Sequence, residues 1–274
     1  MASLISNIFT VIVKKNSDQL KLKNMKKLIL FPIVIAMVFL SKTLVAQDGE
    51  NNFKNFRFGL IVQPDLAWYK PDNTKLFESS GSRIKFAYGL ATEFRLNKVA
   101  CFNTGIMVNY IGGGLNFLQD STFYKIQTET NIDTFFIKSR RYNMVYADIP
   151  ITLKMKTSEI GSMTYFGQFG VNFSVRTKAR ALDKGMLKNT NVESTQENVD
   201  ITEDMNIFQL GINVGAGAEY NLAGSTSVVF SINYHNGFSN IMKKESKFLI
   251  DKFGKALKQD TQSNYVSLSI GILF

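Results

Sequence analysis

The segment Tyr265-Val-Ser-Leu-Ser-Ile-Gly-Ile-Leu-Phe274 places Val266, Leu268, Ile270, Ile272 and Phe274 on alternate positions, with mostly small or polar residues between them. Successive side chains of an extended chain point to opposite faces, so one face of this segment suits hydrocarbon and the other suits water. A lone exposed strand of this kind invites aggregation. As the last of several such strands behind an export signal, it predicts the closing strand of a barrel in an outer membrane.

Seven earlier runs share the period of two, at about residues 56–68, 83–96, 99–117, 142–157, 162–181, 206–222 and 226–241. In the first, Phe56, Phe58, Leu60, Val62, Leu66 and Trp68 alternate with Arg57, Gly59, Gln63, Asp65 and Ala67. Together with 263–274 these runs predict an all-β fold over 56–274, an eight-stranded antiparallel up-and-down transmembrane β-barrel. Most runs exceed the roughly 9–11 residues that cross a bilayer when tilted, so the excess forms a rim. The connectors sort by length. Those at 97–98, 158–161 and 223–225 are short, whereas those at 71–82, 118–141, 182–205 and 242–262 are long. That sorting predicts short periplasmic turns and long extracellular loops, with both ends of the barrel segment periplasmic. It also sorts the aromatics. Phe56, Phe94, Phe102, Tyr220 and Phe274 fall near the periplasmic interface, and Trp68, Tyr110, Phe208 and Tyr234 near the outer one.

Upstream, Met25-Lys26-Lys27, an apolar run at 28–40 and Leu44-Val45-Ala46 before Gln47 read as a signal peptide at 25–46, cleaved between Ala46 and Gln47. Residues 47–55 become a periplasmic lead, and 1–24 a mis-assigned N-terminal extension. The apolar run is shorter than the ~20 residues of a spanning helix. The net charge of +10 is concentrated here: residues 1–46 hold seven Lys and one Asp, and the remainder is near +4 without a basic run. A nucleic-acid partner is therefore not expected. The sole cysteine, Cys101, excludes an internal disulfide and a thiolate metal cluster.

By parity, Arg57, Asp65, Lys85, Glu93, Arg95, Asn103, Asn109, Asp148, Lys154, Gln168, Asn172, Arg176, Gln209, Asn213 and Glu219 face inward. Charges of both signs in an eight-stranded interior predict an ion-paired plug rather than an open pore. Gly59, Gly89, Gly105, Gly211, Gly215 and Gly271 share that parity and leave room for long side chains. Gly215-Ala-Gly217 lacks the third glycine and the helix of a dinucleotide site, and Gly112-Gly-Gly114 reads as a flexible loop entry or a bulge rather than a phosphate cradle. His235, the only histidine, rules out a multi-histidine metal site and leaves one candidate base, with Ser231 on the same face. The expectation is no catalytic, metal or cofactor residue, no cofactor, and a hydrogen-bonded rim histidine. Of the loops, 118–141 with Phe123, Tyr124, Phe135 and Phe136 is expected to extend the wall as a hairpin or meet a partner. Residues 182–204 are expected to be mobile. Lys243-Lys-Glu-Ser-Lys247 is expected to be solvated or to lie against lipopolysaccharide.

The chain resembles the PorT-like outer-membrane β-barrel proteins of Bacteroidetes, from Phe56 to Phe274. The resemblance is carried by Phe58-Gly59-Leu60, the tract from Tyr88 to Leu96, that from Thr104 to Gly113, Asp148-Ile-Pro-Ile-Thr-Leu-Lys154, Phe166-Gly-Gln-Phe-Gly170 and the run from Val214 to Tyr220. It implies a structural rather than enzymatic protein, and a link to protein secretion through the family's founding member. The expected role is a structural or interaction component of the envelope. Its partners are expected to be outer-membrane lipid, lipopolysaccharide and envelope or secretion-machinery proteins. The rivals are a small-solute porin, a lipid A-modifying enzyme and a secreted lipocalin-like binder whose faces would be inverted.

Overall fold

Alternating sequence becomes antiparallel sheet throughout. The computed structural model describes residues 55–118, 122–127, 132–188, 192–251 and 253–274. The expected extension at 1–24, the leader at 25–46 and the lead up to residue 54 lie outside the described residues.

Among the described residues thirteen strands, rather than the expected eight, join in one sheet. They are β1 (Phe56–Pro71), β2 (Phe77–Ser79), β3 (Arg83–Arg95), β4 (Ala100–Phe117), β5 (Phe123–Gln127), β6 (Ile132–Lys156), β7 (Met163–Leu187), β8 (Glu193–Asp200), β9 (Phe208–Ala223), β10 (Thr226–Gly237), β11 (Glu245–Ile250), β12 (Ala256–Lys258) and β13 (Thr261–Leu273). Eight of them are paired along both edges with one another: β1, β3, β4, β6, β7, β9, β10 and β13 each pair with the next of the set, and β13 pairs with β1. The other five occupy segments expected to be long connectors. β5 pairs with β6 and β11, β8 with β7, and β2 with β4.

Strands β6 and β7, at 25 residues each, run well past the expected 142–157 and 162–181. The cause is an inversion of pattern. Below about Tyr146 the buried face of β6 carries Asp148, Thr152, Lys154 and Lys156; above it the same face carries Tyr142 and Met144, and beyond a bulge Ile137 and Phe135. A search for an apolar outer face reads that upper stretch as loop, because its apolar residues point the other way. Of the segment expected to be mobile, the described residues 182–188 and 192–204 belong to upper β7, to β8 and to the turn after it, with Leu187, Val199 and Ile201 packed on apolar neighbours. Phe123 and Phe136, and Tyr124 and Phe135, meet as tilted cross-strand pairs at 5.6 and 5.3 Å, so the hairpin reading of 118–141 accounts for these aromatics.

The tight turns follow local chemistry. Asn97 Oδ1 accepts from the Val99 and Ala100 amides at 2.9 and 2.8 Å. Gly224 turns β9 into β10 at φ 59°, a conformation costly for any residue with a Cβ.

Exposure divides the sheet into two faces. Leu60, Ile84, Ile106, Val214, Ile232 and Leu268 are exposed, Ile84 at 83%, while Glu93, Lys154 and Glu219 are at most 4% exposed. A lipocalin-like binder would show the reverse. The exposed aromatics form two bands. Phe56–Phe94, Phe94–Phe102 and Phe58–Phe274 contacts lie at one end of the long strands, and Trp68–Tyr234, Tyr88–Tyr110 and Phe173–Phe208 contacts toward the other.

Candidate functional site

The buried face is stacked in three levels. At the turn end, five charges converge from four strands. Arg57 Nε donates to Glu93 Oε1 at 3.0 Å and Arg57 Nη2 to Glu219 Oε2 at 2.8 Å. Lys154 Nζ reaches Glu93 Oε2 at 3.1 Å, and Lys156 Nζ reaches Glu93 Oε1 at 2.6 Å and Glu219 Oε2 at 3.0 Å. Lys154 also pairs with Glu219 and sits 4.0 Å from the Phe166 ring centroid. Three cations thus share two carboxylates in a site from which water is largely excluded. Such a knot holds only if every member is paired. Sequence parity found four of the five. Lys156 was missed because it ends its strand, although it shares the parity of Lys154.

Above this cluster lies a cavity of about 100 Å³, lined by side chains from all eight doubly paired strands, among them Gln63, Asn103, Asp148, Phe166, Asn213, Asn233 and Ser269. Asn233 Nδ2 donates to Ser231 Oγ and Ser269 Oγ at 3.1 and 2.9 Å, and Gln63 Nε2 donates to Ser269 Oγ at 2.6 Å. The roof is His235 stacked on Tyr265, ring centroids 4.1 Å apart and 10° from parallel. Asn109 Nδ2 donates to Asp148 Oδ2 at 2.8 Å beside it.

His235 is buried rather than at the rim, and its partner is Ser267 rather than Ser231. Its Nδ1 lies 2.8 Å from Asn172 Nδ2 and its Nε2 lies 3.1 Å from Ser267 Oγ. Asn172 Oδ1 is occupied by Asn213 Nδ2, which fixes the Asn172 amide as the donor toward Nδ1. With the amides oriented this way Nδ1 is the acceptor, which leaves Nε2 to carry the ring proton toward Ser267 Oγ. The arrangement is a buried hydrogen-bond chain from Asn213 through Asn172 and His235 to Ser267. Among the described residues no group of three or more His, Cys, Asp or Glu is placed to hold a metal ion.

The third level, beyond the aromatic bands, is an apolar cap containing Tyr69, Phe77, Leu115, Phe135, Ile137, Tyr142 and Met144. The Tyr69 ring fits there because position 113 is glycine; a Cβ would lie 2.5 Å from it. Within the cap, Arg140 grips Asp183 through two bonds of 2.7 Å, and Tyr124 Oη donates to the same carboxylate at 3.0 Å. Burial and the neighbouring Asp183 charge push the Tyr124 hydroxyl above the usual tyrosine range. Burial opposes the charge on Arg140, but the Asp183 bonds outweigh it and hold the guanidinium above its ordinary value. Sequence reading missed this pair because both residues lie in stretches expected to be connectors. Lys243-Lys-Glu-Ser-Lys247 belongs to the cap rather than to solvent or lipid alone: Ser246 Oγ and the Lys247 amide both donate to buried Asp204, each at 2.6 Å.

All fifteen residues assigned inward by parity are buried or half-buried. Lys85 departs from the others. The β3–β4 ladder ends at Phe86–Tyr110, and just beyond it the Lys85 stem passes Gly112 so that Nζ donates to Asn143 Oδ1 on the exposed face at 2.7 Å. Asp65, its cross-strand neighbour, is left buried with neither carboxylate oxygen bonded to a protein group.

A family profile described as outer membrane protein beta-barrel domain matches residues 45–243. No curated protein matches the chain by sequence. Among solved structures, Neisserial surface protein A is 11% identical and aligns over 80% of this chain and 96% of its own with a TM-score of 0.39. OprG of Pseudomonas aeruginosa is 10% identical over 82% of this chain and 99% of its own, TM-score 0.39. The outer membrane protease OmpT of Escherichia coli is 9% identical over 83% and 99%, TM-score 0.34.

Proposed function

This chain belongs to the outer membrane protein beta-barrel domain family, and from that premise we propose that its eight doubly paired strands form one closed up-and-down barrel, plugged and non-enzymatic, serving as a structural or interaction component of the cell envelope. The short turns face the periplasm and the cap faces outward. Export uses the leader at 25–46, with cleavage between Ala46 and Gln47. The observation that carries the reading is the filled interior: a five-charge cluster below, a cavity of about 100 Å³ between, and an apolar cap above. A cavity of that size holds a few waters, and it lies between the charge cluster and the apolar cap.

The porin reading makes the opposite demand. Purified protein in planar bilayers is expected to give no stepwise conductance at 100 mV in about 1 M salt; reproducible, well-resolved openings would refute the plug. The resemblance to PorT-like proteins adds a secretion-linked role. Cross-linking intact cells that carry an affinity tag at residues 189–191 is expected to recover one stoichiometric envelope companion, and a solitary barrel would remove that role.

A further inference from the structure

Where the β3–β4 ladder stops, cations collect on the outer wall. The exposed faces of β6 and β7 pair as Val145–Lys178, Asn143–Arg180 and Arg141–Leu182, and facing residues on one side of a sheet lie about 5 Å apart. Lys178, Arg180 and Arg141 therefore surround Asn143, which Lys85 reaches from the opposite side. Arg83 opens β3 on the inner face opposite buried Ala67, with its Nε buried and unbonded, and its charge stands within coulombic reach of both Arg141 and Lys85. Arg180 is matched by Asp200 at 2.7 Å. Arg83, Lys85, Arg141 and Lys178 have no carboxylate within ion-pairing distance among the described residues. Four like charges at close quarters repel, and a polyvalent anion seated among them relieves that repulsion.

The surroundings choose the anion. Beside the cations stand Ile84, at 83% exposure, and the exposed rings of Phe86, Tyr88 and Tyr110. A soluble anion has no use for that apolar surface, whereas an amphiphile covers it with an acyl chain while its headgroup meets the cations. Guanidinium groups match phosphate oxygens bidentately. We propose that Arg83, Lys85, Arg141 and Lys178 form a clamp for the phosphorylated headgroup of an outer-leaflet lipid, with Asn143 at its centre and the acyl chain on Ile84, Phe86 and Tyr110. The clamp rests on the barrel reading given above and names the lipid chemistry that its outer rim selects.

The test uses the full chain refolded in detergent micelles and titrated with bis-phosphorylated lipid A, with dephosphorylated lipid A and inorganic phosphate as the other arms. The triple variant R83Q/K85Q/R141Q is expected to bind bis-phosphorylated lipid A on the order of a hundredfold more weakly, and at least tenfold more weakly, since each cation near an anionic surface contributes several-fold. Lys178→Glu alone, on an exposed side chain, should also weaken binding, which keeps the test valid if the triple variant folds poorly. The control K243Q/K244Q should bind like the parent. Equal binding by triple variant and parent, or by phosphorylated and dephosphorylated lipid A, overturns the clamp. Inorganic phosphate displacing lipid A at micromolar concentration overturns the lipid assignment in favour of a soluble phosphate. Heat-modifiable gel mobility and bilayer conductance report the barrel and its plug separately. A folded, silent barrel that ignores lipid A therefore defeats the clamp alone, and a conducting one defeats the plug alone.

Discussion

Glu219→Gln is expected to lower the unfolding free energy by about 3–5 kcal/mol, the largest effect of any single change in the buried charge cluster. The substitution keeps the shape and removes only the charge, leaving Arg57, Lys154 and Lys156 to share Glu93. All four remaining groups are largely buried, so water can do little to screen the excess. Lys156→Met moves the balance the other way, to two cations and two carboxylates, and should cost no more than about 1 kcal/mol. The double variant Glu219→Gln/Lys156→Met returns the cluster to its original net charge and should recover at least half of the loss. Reversible urea unfolding in micelles, followed by the fluorescence of Trp68, measures all three. Equal effects of Glu219→Gln and Lys156→Met would mean that charge balance does not hold this end of the interior together.

The second large effect lies in the cap. Asp183→Leu strips Arg140 of both of its 2.7 Å bonds and Tyr124 of its acceptor, in a position where Arg140 is 2% exposed. The cost is again about 3–5 kcal/mol, but it should be local. Amides of β5 and β8 are expected to exchange faster by two orders of magnitude or more, while those of β1 and β13 keep their protection. Combining Asp183→Leu with Arg140→Met removes the charge along with its partner and should restore protection, since an apolar replacement of a buried pair is often neutral or better. Faster exchange throughout the sheet would show that cap and stem unfold as one unit.

The faces of the sheet were legible because a period of two leaves no freedom: once Phe56, Phe58 and Leu60 are placed outward, Arg57 and Gly59 face in. Glu93, Lys154 and Glu219 followed from that rule without any knowledge of their contacts. What parity cannot supply is where the rule reverses. Phe135, Ile137 and Tyr142 are apolar on the inner face while the outer face there carries exposed Lys138, Arg141 and Asn143, and a lipid-facing template discards such a stretch. Lys85 shows a second limit. Its backbone obeys parity, but the end of the β3–β4 ladder and the bare backbone at Gly112 let its side chain cross to the other face. His235 was found by residue type, and only its bonds to Asn172 and Ser267 decide how it is protonated.

The ladder between β1 and β13, from Gly59–Leu273 to Pro71–Thr261, also governs time. Among the described residues the first strand has as its partner the last, with the others between them in sequence. Until β13 arrives, β1 keeps one edge of unsatisfied amides and carbonyls, and no local hairpin can relieve it. Arg57, carried on β1, must likewise wait for Glu219 on β9. Of the ladders in the described sheet, that of β1 with β13 joins the residues farthest apart in sequence, so it carries the largest loop-closure cost and is the slowest to be repaid.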